Sequence, residues 1–254
     1  MKKEITIKGL VIGKGIPKIC VPIVSETTKD ILEAAREAEE SSADLVEWRA
    51  DFWEELEDKQ ALETILSDLQ QVLKTKPLLF TIRTKAEGGE FQGSSLEYEK
   101  LVKTAAKGAD MVDIEVFMKE LKAKELIEQI QKEECVIVGS NHDFHKTPQK
   151  EEIIRRLCFM QQVGVDIPKI AVMPQNAKDV LTLLSATEEM TTHYADRPIV
   201  TMSMAGTGII SRISGEIFGS AITFGSLFKA SAPGQLELNE LRNVLDIIHK
   251  DKEK

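Results

Sequence analysis

The sequence predicts an α/β chain folded as a (β/α)8 TIM barrel, with a short N-terminal hairpin outside the barrel. Three observations carry this expectation. Eight strand-like stretches each lead into a helix-like stretch, and such alternation implies parallel strands with right-handed crossovers. The chain has 254 residues, and eight such units occupy about 250 residues in known barrels. The turn after the first main strand reads Ser25-Glu26-Thr27-Thr28, with no glycine. A doubly wound open sheet, the alternative, often carries a glycine-rich phosphate loop there.

Residues 4–15 alternate weakly (Ile5, Ile7, Leu10, Ile12) around Lys8-Gly9 and Gly13, as a short hairpin would. Residues 18–24 are strand-like, and 28–40 are helical with Ile31, Leu32, Ala35 and Ala38 on one face. Strand 44–50 precedes helix 55–74. Strand 77–83 precedes helix 95–107, with Ser94 or Ser95 as N-cap. Strand 110–116 precedes helix 119–132, and strand 135–140 precedes helix 148–163. Strand 169–173 precedes helix 177–190, and strand 198–204 precedes helix 208–218. Strand 221–224, holding Phe224, is followed after a loop by helix 236–249. Long linkers and low-complexity segments are absent, so residues 1–254 are expected to form one domain.

Composition narrows the function. The net charge is -9 and the pI about 5.2, which argues against a nucleic-acid or membrane-surface partner. Met1-Lys2-Lys3-Glu4 lacks the apolar core of a signal peptide. No apolar run approaches membrane-spanning length. Cys20, Cys135 and Cys158 are odd in number and lack metal-like spacing. They read as buried thiols of a reducing cytoplasm.

Side chains alternate faces along a strand, and here the alternation is chemically sharp. Val46 and Trp48 oppose Glu47 and Arg49; Phe80 and Ile82 oppose Thr81 and Arg83. Ile114 and Val116 oppose Asp113 and Glu115; Ile170 and Val172 oppose Lys169. Ser140 and His142 share a phase if the fifth strand extends that far. The apolar face suits packing on outer helices. The charged face would point inward, into an interior that binds something polar rather than the usual branched apolar filling.

Lys169 lies in the run Ile167-Pro168-Lys169-Ile170-Ala171-Val172-Met173-Pro174. A buried ammonium loses hydration. It must be paired, snorkel to solvent or give up its proton and become a nucleophile. Arg49, Arg83 and Arg212 nearby would disfavour its charged form. Ser140-Asn141-His142-Asp143-Phe144-His145 ends the fifth strand with two histidines and an aspartate. It fits acid–base work, a solvated polar loop, or a metal-dependent hydrolase using His142, Asp143 and His145. His193 and His249 fall on outer helices and add no ligand. Glu87, before Gly88-Gly89, could orient a histidine or stay a surface carboxylate. Glu47, Arg49 and Asp51 could form an internal ion-pair network. Met202-Ser203-Met204 and Arg212 follow the seventh strand, where barrel loops often bind anions. Ser231-Ala232-Pro233-Gly234-Gln235 follows the eighth, either as a plain turn or as a closing loop.

Taken together, Glu47-Trp48-Arg49, Phe80-Thr81-Ile82-Arg83, Glu87-Gly88-Gly89, the 140–148 and 168–174 stretches, Met202-Ser203-Met204 and residues 231–235 resemble type I 3-dehydroquinate dehydratase. The resemblance spans nearly the whole chain. It implies a hydro-lyase of the shikimate pathway that eliminates water from 3-dehydroquinate in a syn course, giving 3-dehydroshikimate. Lys169 matches the Schiff-base lysine, His142 the base that later serves as acid, and Glu87 the partner of that histidine. Glu47, Arg49 and Arg83 match positions that hold ring hydroxyls. Arg212, Ser231 and Gln235 match the carboxylate end, with Met202, Met204, Phe224 and Ala232 as further substrate contacts. His145 is given a supporting part. The resemblance also implies a homodimer needing no metal or organic cofactor. Pro22 stands where some members carry a substrate-contacting serine, so no role passes to it. A Schiff-base aldolase and a non-catalytic binder of a small hydroxy acid are the other readings. Lys169 lies early in its strand, so its long side chain is expected to run up the interior to the level of His142.

Overall fold

The computed structural model describes residues 3–227 and 234–252. Strands β1 (Ile5–Ile7) and β2 (Leu10–Ile12) pair antiparallel as the expected hairpin. Lys8 and Gly9 at its tip have φ of 47° and 81°, the handedness a two-residue hairpin turn requires.

The alternating units follow in order. They are β3 (Lys18–Ile23), α1 (Thr28–Glu40), β4 (Leu45–Arg49), α2 (Lys59–Val72), β5 (Leu78–Thr81), α3 (Ser95–Ala105), β6 (Met111–Glu115) and α4 (Ala123–Ile130). Then come β7 (Val136–Asp143), α5 (Lys150–Gln162), β8 (Ile167–Val172), α6 (Ala177–Glu189) and β9 (Val200–Ser203). Two short helices, α7 (Ile210–Ile213) and α8 (Gly215–Phe218), lead to β10 (Ile222–Ser226), β11 (Leu236–Glu237) and α9 (Leu238–Lys252).

The sheet order is β11-β10-β3-β4-β5-β6-β7-β8-β9, with parallel neighbours. The sheet curls until Ile199 and Ser220, just outside β9 and β10, form a parallel bridge. The Ala221 N–H donates to the Ile199 carbonyl at 2.8 Å. Strands β3 to β10 thus make the predicted barrel, with one thin seam.

Element ends differ from expectation for local reasons. Helix α2 begins only at Lys59, because the Asp58 carboxylate accepts the N–H groups of Gln60 and Ala61. Ser94, not Ser95, caps α3, and Glu97 completes a capping box. The expected 208–218 helix splits into α7 and α8. There Ser211 and Ser214 hydroxyls donate to the Gly208 and Ile210 carbonyls, each at 2.7 Å, competing with helical bonding. Leu236 and Glu237 join the sheet beside β10 instead of opening the last helix. Strand β7 does extend past Ser140, which places His142 in the ladder opposite Ala171.

Strand phase organises the core as predicted. Val46, Trp48, Phe80, Ile114, Ile170 and Val172 pack outward with helical Leu62, Leu66, Ile127, Leu157 and Leu183. Each such side chain contributes roughly 1.5–3 kcal/mol by burial. Facing inward at the strand starts, Cys20, Leu45, Leu79, Met111, Val138 and Ile167 form a second apolar cluster, joined by Ile5 and Ile12 of the hairpin. The hairpin therefore stoppers the barrel where its strands begin. One pleat further along, the same inward face carries Glu47, Thr81, Asp113, Ser140 and Lys169, all buried. The interior turns from apolar to charged along the strands, and the chemistry collects toward their C-terminal ends.

Among the described residues, no helix is long and apolar enough to cross a membrane. Cys20 and Cys135 are buried free thiols, as expected, whereas Cys158 is partly exposed.

Candidate active site

Lys169 is held in β8, two residues before Ala171, which pairs with His142 across the ladder. Its side chain is 5% exposed. The ammonium lies 3.5 Å from Asp113 Oδ2 and 3.6 Å from Glu47 Oε1. It also sits 4.6 Å from the centre of the Phe224 ring, a cation–π contact. This corrects the picture of a lysine crowded by arginines alone: two carboxylates face it directly. The inward phase of β4 and β6 places both there.

Arg83 anchors the charged layer. Its Nη1 donates to Glu115 Oε1 and Ser140 Oγ, each at 2.9 Å, and its Nη2 to Asp113 Oδ1 at 2.8 Å. Ser140 Oγ in turn donates to Asp113 Oδ1 at 2.6 Å. Burial works against a charged Asp113. Arg83, Lys169 and the hydrogen bonds from Ser140 and Arg83 outweigh it and hold the carboxyl below its ordinary range. Arg49 grips Asp51 bidentately at 2.8 and 2.7 Å. Asp51 also accepts the Arg83 and Glu90 backbone N–H groups, which ties the loop after β5 to the one after β4.

That loop delivers Glu87. Gly88 follows it with φ of 83°, a conformation glycine adopts without strain. A Cβ on Gly89 would overlap the Arg83 carbonyl. The turn bends Glu87 over the end of β7. There Glu87 Oε2 meets His142 Nδ1 at 2.8 Å and accepts the His142 backbone N–H at 2.9 Å. Glu87 Oε1 accepts from Asn141 Nδ2 at 3.0 Å. Burial first, with the cations Arg83, Lys169 and Arg49, holds the imidazole well below its usual range. Burial and the Glu115 carboxylate push Glu87 the other way, up to about 8, against Arg83 and Asn141. The 2.8 Å contact lets a proton on either group bear on the other. With one proton between Oε2 and Nδ1, the ring's Nε2 is free to accept another.

One cavity gathers the predicted residues. Glu47, Arg49, Arg83, Glu87, His142, Lys169, Met202, Met204, Arg212, Phe224 and Gln235 all line it. Ser231 and Ala232 lie outside the described residues. Lys169 and His142 both line this cavity, with Lys169 opposite Ser140 in the ladder, one pleat before His142. Among the described residues Lys169 is the one lysine in the lining. Arg212 is buried in α7, with Nη1 4.0 Å from Met202 Sδ. Burial lowers its pKa to about 10, which leaves it cationic at neutral pH.

Gly88, Phe144 and Ala171 complete the lining; nothing in their residue types signals chemistry. Asp113 is the important omission. Its phase was legible, but its pairing with Lys169 was not. Asn141 was missed because it is out of phase with His142.

The metal-hydrolase reading fails on geometry. Asp143 Oδ1 accepts the backbone N–H groups of His145 and Lys146, both at 3.0 Å, as a local turn. His145 is exposed. Among the described residues, no three His, Cys, Asp or Glu side chains form a group able to hold a metal. His249 is occupied by Glu216 at 2.8 Å.

A parallel barrel with a buried lysine, an imidazole–carboxylate pair and arginines around one cavity has groups suited to acid–base chemistry on a small anion. Comparison with known proteins gives the family. The model for type I 3-dehydroquinase matches residues 19–252. The 3-dehydroquinate dehydratase of Clostridioides difficile is 49% identical over 252 residues, covering 98% of this chain and 99% of that protein. The Bacillus subtilis 3-dehydroquinate dehydratase is 49% identical over 249 residues, 97% of this chain and 98% of that one. A crystal structure of the Clostridium difficile type I enzyme with covalently modified comenic acid superposes with a TM-score of 0.94. It shares 49% identity and covers 99% of this chain and 100% of its own. The chain belongs to the type I 3-dehydroquinase family.

Proposed function

We propose that this chain dehydrates 3-dehydroquinate to 3-dehydroshikimate, the third step of the shikimate pathway, through a Schiff base on Lys169. The observation that carries the reading is the shared cavity of Lys169 and the Glu87–His142 pair.

The steps follow from the chemistry of these groups. The Lys169 ammonium gives up its proton, and Glu47 and Asp113 are the carboxylates nearest to it. The amine attacks the ketone carbon, and loss of water leaves an iminium. The iminium accepts the electron pair when His142 Nε2 takes the proton from the adjacent carbon. The same histidine then returns a proton to the departing hydroxyl on that ring face, a syn course. Water cleaves the iminium of the product and restores the amine.

Arg212 suits the substrate carboxylate, because a guanidinium binds carboxylate bidentately. Gln235 lines the same cavity, and Ser231 and Ala232 are carried over from the family resemblance alone. Glu47, Arg49 and Arg83 are assigned to ring hydroxyls, with Arg83 also holding Asp113 and Glu115. Met202, Met204 and Phe224 supply apolar walls. A homodimer belongs to this reading on the same resemblance, and a cytoplasmic location on the free thiols. Sedimentation should give twice the chain mass of 28.3 kDa. The net charge of -9 supports a small-molecule substrate over a nucleic acid.

The direct test is an absorbance assay for the conjugated enone on adding 3-dehydroquinate. Absorbance should rise with this protein and stay flat with Lys169→Ala. Equal rates in the two would overturn the assignment.

A further inference from the structure

Behind the Glu87–His142 pair runs a hydrogen-bonded chain that reaches the outer helix layer. Asn141 Nδ2 donates to Glu87 Oε1 at 3.0 Å, and Arg156 Nη1 donates to Asn141 Oδ1 at 2.8 Å. Arg156 stands on α5, where its Nε donates to Glu152 Oε1, one turn earlier, at 2.7 Å. Asn141 is buried. We propose that Arg156 and Asn141 are positioning residues for the dehydration, fixing Glu87 as a hydrogen-bond acceptor and thereby presenting His142 Nε2 as the base. The proposal rests on the reading of His142 given above.

The argument is one of donors and acceptors. A guanidinium has N–H groups and no acceptor. Whatever faces Arg156 must therefore be the amide oxygen of Asn141. The amide NH2 is then turned toward Glu87, and only a lone pair on Glu87 can receive it. On the other carboxylate oxygen, the His142 backbone N–H takes a second lone pair. The bond between that oxygen and Nδ1 is then best made by an N–H of the ring. That tautomer leaves Nε2 bare. Without Arg156 the amide is free to turn over. Its oxygen would then face Glu87, a contact tolerated only by a protonated carboxyl.

Other charges bear on the pair from several sides. Arg83 Nη1, from the loop after β5, lies 3.7 Å from Glu87 Oε2. Glu115 and Asp113 of β6 add negative charge to Glu87; Lys169 of β8 and Arg49 of β4 add positive charge to His142. None of these fixes the amide of Asn141. Asn141→Ala therefore acts on the pair through one hydrogen bond, whereas Arg156→Met also removes a positive charge and a partner of Glu152.

The experiment is the pH profile of kcat/KM for Asn141→Ala and Arg156→Met, with Arg156→Lys as rescue. Loss of one N–H donor to a carboxylate should move the acid limb upward by about one pH unit. The limb should return toward its original place in Arg156→Lys, which still offers a donor to Oδ1. In a Glu87→Gln background, adding Arg156→Met should move the limb no further. A merely structural role would lower the plateau or the melting temperature and leave the limb in place. An unmoved limb in both single variants overturns the relay, with an inactive His142→Ala leaving the assignment of the base intact. Full turnover by His142→Ala would overturn both. If Asn141→Ala does not fold, Arg156→Met decides by comparison with Arg156→Gln, which is equally uncharged but keeps an N–H donor: the limb should move up in Met and less in Gln, and equal shifts overturn the relay.

Discussion

Glu87 Oε2 makes two contacts with one residue: the ring Nδ1 of His142 at 2.8 Å and the backbone N–H of His142 at 2.9 Å. The carboxylate thus holds the position of the strand end and the tautomer of its side chain together. Its own place depends on the turn after β5, and its charge on the field of the barrel interior.

The pH dependence of catalysis follows from this pair. Glu87 is pushed up to about 8 by burial and Glu115, while His142 is held low by burial and three cations. Below the step Glu87 is protonated and donates to Nδ1, so the neutral ring carries its proton on Nε2, which is then no longer a base. kcat/KM should therefore rise with pH through a step near 8. Glu87→Gln cannot take that proton, so the limb should move to lower pH, with a lower plateau. A limb that stays or moves upward in Glu87→Gln would contradict the assignment of the step to Glu87.

His142→Ala should retain binding and lose turnover. General acid–base catalysis contributes about 10²–10⁴-fold, so kcat should fall by that order while KM changes little. Steady-state kinetics with 3-dehydroquinate measure both. A large rise in KM with unchanged kcat would make His142 a binding residue instead.

Asp113→Asn should damage the fold as well as the site. It leaves Arg83 and Lys169 short of a buried anion, and breaking a buried pair in this way costs about 3–5 kcal/mol. Asp113 is held below its ordinary pKa in the folded chain. Its contribution is therefore present above the unfolded carboxyl range and lost as pH falls through the lower folded value. Denaturant titrations should show reduced stability at neutral pH and a flatter acid-side loss in the variant. Wild-type stability in the variant would mean that this charged layer does little for folding.

Gly89→Ala should disable the site without removing a charged group. The added Cβ would meet the Arg83 carbonyl, forcing the turn that carries Glu87 to move. Backbone adjustment of this kind costs on the order of 1–3 kcal/mol. Activity should drop more than melting temperature. The reverse order would mean that the turn serves stability alone.

Much of this was legible in the sequence because two periods report on it. The period of two in β4, β5, β6 and β8 separates Trp48, Phe80, Ile114 and Ile170 from Glu47, Thr81, Asp113 and Lys169, and the barrel follows that division. Asn141 escapes such a reading. Strand phase sends it away from His142, and its partners come from a loop 54 residues earlier and a helix turn 15 residues later. The break between α7 and α8 was hidden for another reason: two serine hydroxyls, not a proline, interrupt the helix. Asp113 was seen as inward, but a distance to Lys169 across the barrel is a property of tilt and register, which periodicity does not encode.

The central claim is that Lys169 forms the covalent intermediate. Borohydride added with 3-dehydroquinate or its product should reduce the iminium to a stable amine, and mass mapping of a digest should place the adduct on the peptide holding Lys169. An adduct on a different residue, or full inactivation-free turnover with no adduct at all, would contradict the account.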